Sequence, residues 1–494
     1  MKIQDLMKQI DYRVLQEGTP DWKERQVTQL VYDSRKVTPG ACFACESGLV
    51  FDGTTFLEAA ARSGAVLAVM EKEPEQYPQG LTMLLVTNVR QAMAAMAKNF
   101  YPAALEGVRL IGMTGTNGKT TTSTLMHYIW MQAGISCGLI GTNENRIGER
   151  HVKATHTTPY PFDLYPLFET MKEAGNRVIV MEVSSHALDQ HRVEGVRYQL
   201  GMFTNLSQDH LDYHKTMQAY LEAKCKLFYQ SERALINGDD AVAPQILATQ
   251  ACPFTTFGLG KNCDYRAEAV TIDAEGLSYD WYFHNEKLGH IHYPVPGQFN
   301  VYNTLAAISA CHMEGLSAQQ ITESIDAIRH AFVPGRFQVF RGSDGVTAVV
   351  DYAHTPDGLK NILETAAEFT KGRIITVFGC GGDRDNKKRP IMGEIAGRLS
   401  QYAIITSDNP RTENPDQIIA EIEAGLAPTH CPYATISDRR QAIAQAIAMA
   451  QPEDTVVVAG KGHEDYQIIG REKIHLDDRE EVQKALQTRS QISE

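Results

Sequence analysis

The chain has 494 residues, enough for about three domains at roughly 150 residues each. Lys and Arg number 47 against 60 Asp and Glu, a net charge of −13 that argues against a general nucleic-acid or membrane-surface binder. No apolar run nears the ~20 residues that span a bilayer. Met1–Lys8 holds no apolar stretch of the kind a secretory signal needs, so a cytoplasmic protein is expected. Nine scattered cysteines fit a reducing compartment better than a disulfide framework. Cys42 and Cys45 form a lone C-x-x-C in an apolar run. The second pair that a four-thiolate zinc site needs is missing, so buried thiols in a strand are expected.

Up to about residue 104, short apolar runs (Ala65–Val69, Met83–Val86) and a helical pattern over Val89–Phe100 predict a small α/β domain. A second region, 105–333, opens on the apolar run Val108–Met113. A glycine-rich turn and a helical pattern to Gly134 follow, then further strands at Gly138–Ile140, Val178–Met181 and Leu200–Phe203. Continuous apolar strands alternating with helices predict a parallel sheet covered on both faces. From Phe254 to Val295 the texture is β-rich and turn-punctuated, predicting an antiparallel appendage, and a helix is expected after Asn300. A boundary at Phe332-Val-Pro-Gly335 leads to a third region, 334–494. Its apolar strands (Val346–Val350, Arg373–Phe378, Tyr402–Thr406, Thr455–Ala459) predict a second, doubly wound, Rossmann-like α/β domain.

The segment Gly115-Thr116-Asn117-Gly118-Lys119-Thr120-Thr121 follows a strand and opens a helix, the setting of a phosphate-binding P-loop. Glycines let backbone N–H groups converge on phosphate oxygens, and the helix N-terminus adds positive potential. Lys119 would neutralise phosphate charge and the Thr120 hydroxyl could ligate Mg²⁺. The strict pattern has glycine where this chain has Met113, so the loop is a variant. Metal-binding oxygens are expected at neighbouring strand ends. Glu182 ends one strand, where a cap or surface role is the plain alternative, and His210 follows another. His210 and His214 have the spacing of a zinc pair but lack the glutamate of H-E-x-x-H. Lys224, on an expected helix, reads by itself as a solvated surface charge.

Taken in order, Gly115–Thr121, Glu182-Val-Ser-Ser-His186, Asn205–His214, Ala223–Phe228, Gly297–Asn303, Pro334-Gly-Arg-Phe337 and Asp351–Pro356 closely resemble the Mur ligase family. These are cytoplasmic, ATP-dependent, amino-acid-adding enzymes of peptidoglycan synthesis, and the resemblance spans essentially the whole chain. It implies that Lys224 is carbamylated by CO₂ and helps Glu182 and His210 hold one Mg²⁺, while Thr120 and Glu182 hold another. It further implies that Asn300 faces adenine, where helix capping is the plain alternative, and that Arg336 and Asp351 reach the nucleotide. Ser34, in Asp33-Ser-Arg35, resembles a uridine-nucleotide contact, although that tripeptide alone reads as an Asx-type turn. Thr157, Thr158, Ser184, Gln190 and Arg192 resemble positions that grip a muramoyl dipeptide, and His156 departs from the family's Asn before the two threonines.

Asp408-Asn409-Pro410-Arg411 alone reads as a loop turn. In the resembling family this tetrapeptide with Arg marks enzymes that add diaminopimelate rather than lysine. A guanidinium fork suits the extra carboxylate that distinguishes the two. Arg384, Gly460 and Glu464 match the remaining contacts, with Glu464 on the distal ammonium. The implied reaction joins meso-diaminopimelate to the D-Glu γ-carboxylate of UDP-MurNAc-L-Ala-D-Glu through an acyl phosphate, in a monomer that uses ATP and Mg²⁺ and binds neither nucleic acid nor membrane. The alternatives are the same chemistry with L-lysine or another diamino acid, a non-catalytic nucleotide-binding module, and a small-molecule kinase.

Overall fold

The computed structural model describes residues 1–46, 52–273, 275–328 and 333–493, with the side chains of 491–493 excepted. Phe332, in the expected second boundary, lies outside the described residues. The chain divides into two compact units. One comprises Met1–Gly112, Ile135–Gly201 and Ala223–Glu232, and the other Met113–Gly134, Met202–Glu222 and Arg233–Glu494.

In the first unit, five strands stand in the spatial order Arg13–Gln16, Thr82–Leu85, Leu67–Met70, Ala41–Cys45, Gln29–Val31. Only the first pair is antiparallel. Ala41–Cys45 and Leu67–Met70 are buried end to end, as parallel strands covered on both faces must be. Both thiols of the C-x-x-C lie in that first strand, free and pushed upward in pKa by burial, so the plain reading of the motif is what the fold shows. The helix Val89–Phe100 begins where the Asn88 side chain accepts from the amides of Arg90 and Gln91, at 3.0 and 3.1 Å. It buries Val89, Ala92, Met93, Met96 and Ala97 along one stripe. Further along, Cys137–Ile140 and Val178–Glu182 pair in parallel. An antiparallel hairpin, Glu144–Ile147 with Arg150–Lys153, extends from Cys137–Ile140. The sequence reading did not foresee this hairpin, because ENRI and RHVK are too polar to announce strands.

The second unit holds the helix Lys119–Gln132 packed on the helix Gln298–Met313. Its β-appendage is antiparallel over Tyr265–Asp273, Gly276–Phe283 and Glu286–Tyr293, around the buried rings of Tyr279, Trp281 and Tyr293. Phe254–Gly258, expected to belong to it, instead pairs in parallel with Ala234–Asn237 and joins the two textures. Downstream, six strands run in the spatial order Gln338–Arg341, Thr347–Asp351, Thr455–Ala459, Ile374–Phe378, Tyr402–Ile405, Tyr433–Thr435. All pairs but the first are parallel. The last of the six in sequence, Thr455–Ala459, is third in space, inserted between Thr347–Asp351 and Ile374–Phe378, and open α/β sheets bind ligands outside the carboxyl ends of their strands where the strand order breaks in this way. Asp351 ends one of those strands, and Arg384, Asp408–Arg411 and Gly460–Glu464 follow the carboxyl ends of three others. Among the described residues no helix is long and apolar enough to cross a membrane.

Candidate active site

Gly118 caps the helix Lys119–Gln132 with φ +86°, and a Cβ there would meet Asn303 Oδ1 at 2.4 Å, so only glycine fits. The loop is pinned from behind. The Thr116 amide donates to the Asn205 carbonyl at 2.8 Å, the Asn117 amide to Asn205 Oδ1 at 2.8 Å, and Thr204 Oγ1 to the Asn117 carbonyl at 2.6 Å. Lys119 Nζ donates to the carbonyls of Gly115 and Thr116 at 2.8 and 2.9 Å, which curls its side chain across the loop. Met113 is a fully buried residue of the strand Arg109–Thr114. The departure from the strict pattern therefore falls in the strand, and the turn proper begins at Gly115.

Three distant segments converge on this loop. Arg336 Nη2 donates to Thr120 Oγ1 at 3.1 Å, and its guanidinium lies 4.5 Å from the centre of the Tyr352 ring. Asp351 accepts from the Phe337 amide at 2.6 Å, and burial raises its pKa against the opposing charge of Arg336. Asn117 Nδ2 donates to Asp357 at 3.0 Å, at the start of the helix Pro356–Phe369. Asn300 is buried on its helix, its Nδ2 donating to the Pro296 carbonyl at 2.8 Å. The cap position belongs to Gly297, so the capping alternative for Asn300 falls away.

Glu182, at the end of Val178–Glu182, is only 1 % exposed, which excludes a surface role. It accepts from the Thr142 amide at 3.0 Å and from Thr142 Oγ1 at 2.9 Å. Lys224 lies on the helix Met217–Cys225 and is also 1 % exposed, which overturns its reading as a solvated charge. His210 adopts φ +55° at the head of the one-turn helix Leu211–His214, with Nε2 3.3 Å from Asp209. His214 stacks on Tyr220 at 5.0 Å.

Thr157, Thr158, Ser184, Gln190 and Arg192 are linked by hydrogen bonds. Thr158 Oγ1 donates to the Glu182 carbonyl at 2.9 Å and accepts from the Ser184 amide at 3.1 Å. Arg192 donates through Nη1 to the Thr158 carbonyl at 3.1 Å, and through Nε and Nη2 to Gln190 Oε1 at 3.1 and 2.7 Å. Thr157 meets Thr142 hydroxyl to hydroxyl at 3.0 Å, on the residue that also binds Glu182. Ser34 opens a one-turn segment whose cap, Asp33, accepts from the amide and guanidinium of Arg35, so the Asx-type turn is real. That ion pair and hydrogen bonding lower the Asp33 carboxyl to about 2.

Asn409 Nδ2 donates to Glu464 Oε2 at 2.9 Å, and Asn409 Oδ1 accepts from Lys461 Nζ at 3.2 Å and the Ile468 amide at 2.9 Å. Arg411 Nη1 donates to the Gly382 carbonyl at 2.7 Å, and Arg384 to the Asp383 carbonyl at 2.8 Å. Burial raises the Asp408 carboxyl, but the charges of Lys461 and Arg439 outweigh it and hold the group below its ordinary value. Gly460 has φ +120°, and a Cβ there would stand 2.7 Å from Asp408 Oδ2. Gly460→Ala is therefore expected to cost about 1–3 kcal/mol through backbone strain alone. Urea unfolding midpoints check this, and an unchanged midpoint would show that the loop relaxes without cost.

Two residues escaped the sequence reading. Lys461 is fully buried and also donates to Glu464 at 2.8 Å, holding both acidic and amide members of this cluster. Asp209 lies 3.7 Å from His354 Nε2 and 3.8 Å from Lys388 Nζ, and Lys388 in turn donates to the His354 carbonyl at 2.8 Å. Burial opposes ionisation of Asp209, but His354, His210 and Lys388 drive its pKa well below normal. The only signal for either was its position inside a segment already singled out.

Known proteins match the chain along nearly its whole length. Residues 26–101 match the description "Mur ligase family, catalytic domain", 113–311 "Mur ligase middle domain", and 335–462 "Mur ligase, glutamate ligase domain". A UDP-N-acetylmuramoyl-L-alanyl-D-glutamate–2,6-diaminopimelate ligase of Clostridium botulinum is 42 % identical over 490 residues, 98 % of this chain and 99 % of the relative. One of the same name from Caldanaerobacter subterraneus is 42 % identical over 487 residues, again 98 % and 99 %. A solved structure of a ligase so named is 32 % identical, with TM-score 0.69 and 99 % of each chain covered. A MurF ligase of Thermotoga maritima in complex with ADP shares the fold at 16 % identity, TM-score 0.64, over 94 % of this chain and 98 % of that one. With three successive family segments and relatives matched from end to end, the chain belongs to the Mur ligase family.

Proposed function

We propose that the chain is an ATP-dependent amide ligase that joins meso-diaminopimelate to the D-Glu γ-carboxylate of UDP-MurNAc-L-Ala-D-Glu in cytoplasmic peptidoglycan precursor synthesis. What carries the reading is the Asp408–Arg411 segment, held by Asn409 against Glu464, in a chain 42 % identical over its length to ligases of that name. A carboxylate is a poor electrophile. Its oxygen attacks the γ-phosphorus of ATP, ADP leaves, and the resulting acyl phosphate is attacked by the amine, which expels phosphate and forms the amide.

The N–H groups of Gly115–Thr121 and the ammonium of Lys119 bind the phosphates, with Arg336 and Asp351 reaching the nucleotide and Asn300 on its adenine side. Ser34 takes the uridine nucleotide, and Thr157, Thr158, Ser184, Gln190 and Arg192 orient the dipeptide carboxylates. Arg384, Asp408–Arg411, Gly460 and Glu464 take diaminopimelate, Glu464 accepting from its distal ammonium. The buried carboxylate of Glu182 and a carbamate on buried Lys224 are oxygen donors of the kind that suit a hard cation, with Thr120 and His210 completing the set. Mg²⁺ bound there supplies positive charge to the transferring phosphoryl group. The work is shared among three domains, 1–104, 105–333 and 334–494, in a monomer whose closure excludes water.

Incubating the protein with the UDP-muramoyl dipeptide, ATP, Mg²⁺ and an equimolar diaminopimelate/lysine mixture is expected to yield ADP and the diaminopimelate product by mass analysis. Equal incorporation of lysine would overturn the acceptor. Absence of ADP would overturn the ligase reading itself, and a stable phosphorylated product would mark a kinase.

A further inference from the structure

Around Arg192 the structure holds an aromatic assembly that none of the motifs explains. The Arg192 guanidinium lies over the Tyr160 ring, 4.0 Å from its centre, and its Nη2 also donates to the Tyr160 hydroxyl at 3.3 Å. The ring of Tyr32 packs on Tyr160 with centroids 5.0 Å apart and planes tilted 32°, and His156 meets the same ring edge-on at 5.6 Å. The Tyr32 hydroxyl donates to Asp163, in the first turn of the helix Pro161–Glu173. Tyr160 is the cap of that helix, and Pro161 restricts its backbone to the extended conformation it adopts. Its ring therefore stands on a rigid base, while the Gln190 and Thr158 contacts hold the guanidinium edges.

We propose that Tyr160 is a positioning residue for the UDP-muramoyl substrate, presenting Arg192 in one fixed orientation, and that Tyr32 braces it from the uridine side. The inference rests on the reading that Arg192 and Ser34 bind this substrate. A guanidinium fork binds carboxylate well only when its plane is set in advance. Stacking on the aromatic face, together with the Nη2 bond to the Tyr160 hydroxyl, sets that plane. Tyr32 lies two residues before Ser34, so one stacked unit, Tyr32–Tyr160–Arg192, links the turn assigned to the uridine end with the side chain assigned to the dipeptide end.

The test compares steady-state constants for Tyr160→Leu, Tyr160→Phe, Arg192→Ala and the Tyr160→Leu/Arg192→Ala double variant. Tyr160→Leu is expected to raise KM for the UDP-muramoyl dipeptide about tenfold, an effect of the size a desolvated cation–π contact supplies. Its kcat and its KM for ATP and diaminopimelate should stay within about twofold by the same argument. Tyr160→Phe, which keeps the ring, recovers most of the loss. The double variant is no worse than Arg192→Ala alone, because Tyr160 acts through that side chain. If Arg192→Ala raises this KM and Tyr160→Leu does not, the proposal fails while the substrate reading stands. If Arg192→Ala leaves it unchanged, the substrate reading fails first. A Tyr160→Leu loss spread over all three substrates, accompanied by a lowered melting temperature, would assign Tyr160 a merely structural role and overturn the proposal.

Discussion

Lys224→Ala is expected to lower ligation by at least about a hundredfold, the scale on which a group stabilising transition-state charge is felt. Nucleotide affinity should move by less than about threefold, because the phosphate contacts proposed for Lys119 and the loop amides do not involve it. The argument starts from burial. A lysine 1 % exposed on the helix Met217–Cys225 is not there to solubilise a surface. Addition of CO₂ to its neutral amine forms an N–C bond, releases a proton and converts a cation-forming side chain into a carboxylate-like one. Lys224→Arg preserves length and charge yet cannot be carbamylated, since the guanidinium is not a free nucleophile, so it should be as inactive as Lys224→Ala. Carbon-13 NMR of the folded wild-type protein in ¹³C-bicarbonate buffer should show a carbamate signal that is absent from Lys224→Ala. Melting temperature and nucleotide titration separate this chemistry from misfolding. Full turnover in Lys224→Ala would remove the carbamate from the mechanism.

Arg411→Ala is expected to lower kcat/KM for diaminopimelate by about 10²–10³-fold, the cost of losing a charge-assisted, two-bond contact in a recessed site. Discrimination against lysine should collapse at the same time, because the side chain proposed to be left unpaired by lysine is gone. The local geometry supports a fork set in advance. Arg411 holds φ +51°, a conformation costly outside glycine. It is clamped there by its amide on the Ile468 carbonyl at 3.1 Å and its carbonyl on the Gly470 amide at 2.7 Å. Among the described residues only Nη1 of the guanidinium takes partners, the carbonyls of Gly382 and Asn409, which leaves Nε and Nη2 as a parallel pair. Competition between the two acceptors, followed by product mass, reads the outcome. Retained preference for diaminopimelate in Arg411→Ala would move selectivity to Arg384 or Glu464.

By itself the sequence determined the elements whose signal is local. Continuous apolar runs became the buried strands Ala41–Cys45, Val178–Glu182, Ile374–Phe378 and Thr455–Ala459, because a strand covered on both faces is apolar along most of its length. The turn at Gly115–Gly118 between a strand and a helix was legible because glycine there meets a backbone that other residues adopt at a cost, and the apolar stripe of Val89–Phe100 because helical period is written in adjacent turns. What only the tertiary structure decided involves partners far apart along the chain. A lone lysine reads as solvated, and burial of Lys224 comes from what packs over it. The polar hairpin Glu144–Lys153 forms because a neighbouring strand supplies its hydrogen bonds. Asp209 finds His354 and Lys388, and Tyr160 finds Arg192 and Tyr32, only after folding brings together side chains separated by tens to hundreds of residues. Periodicity and turn chemistry act within a few residues, whereas the charge environment of a site is a sum over neighbours in space, and that sum exists only in the folded chain.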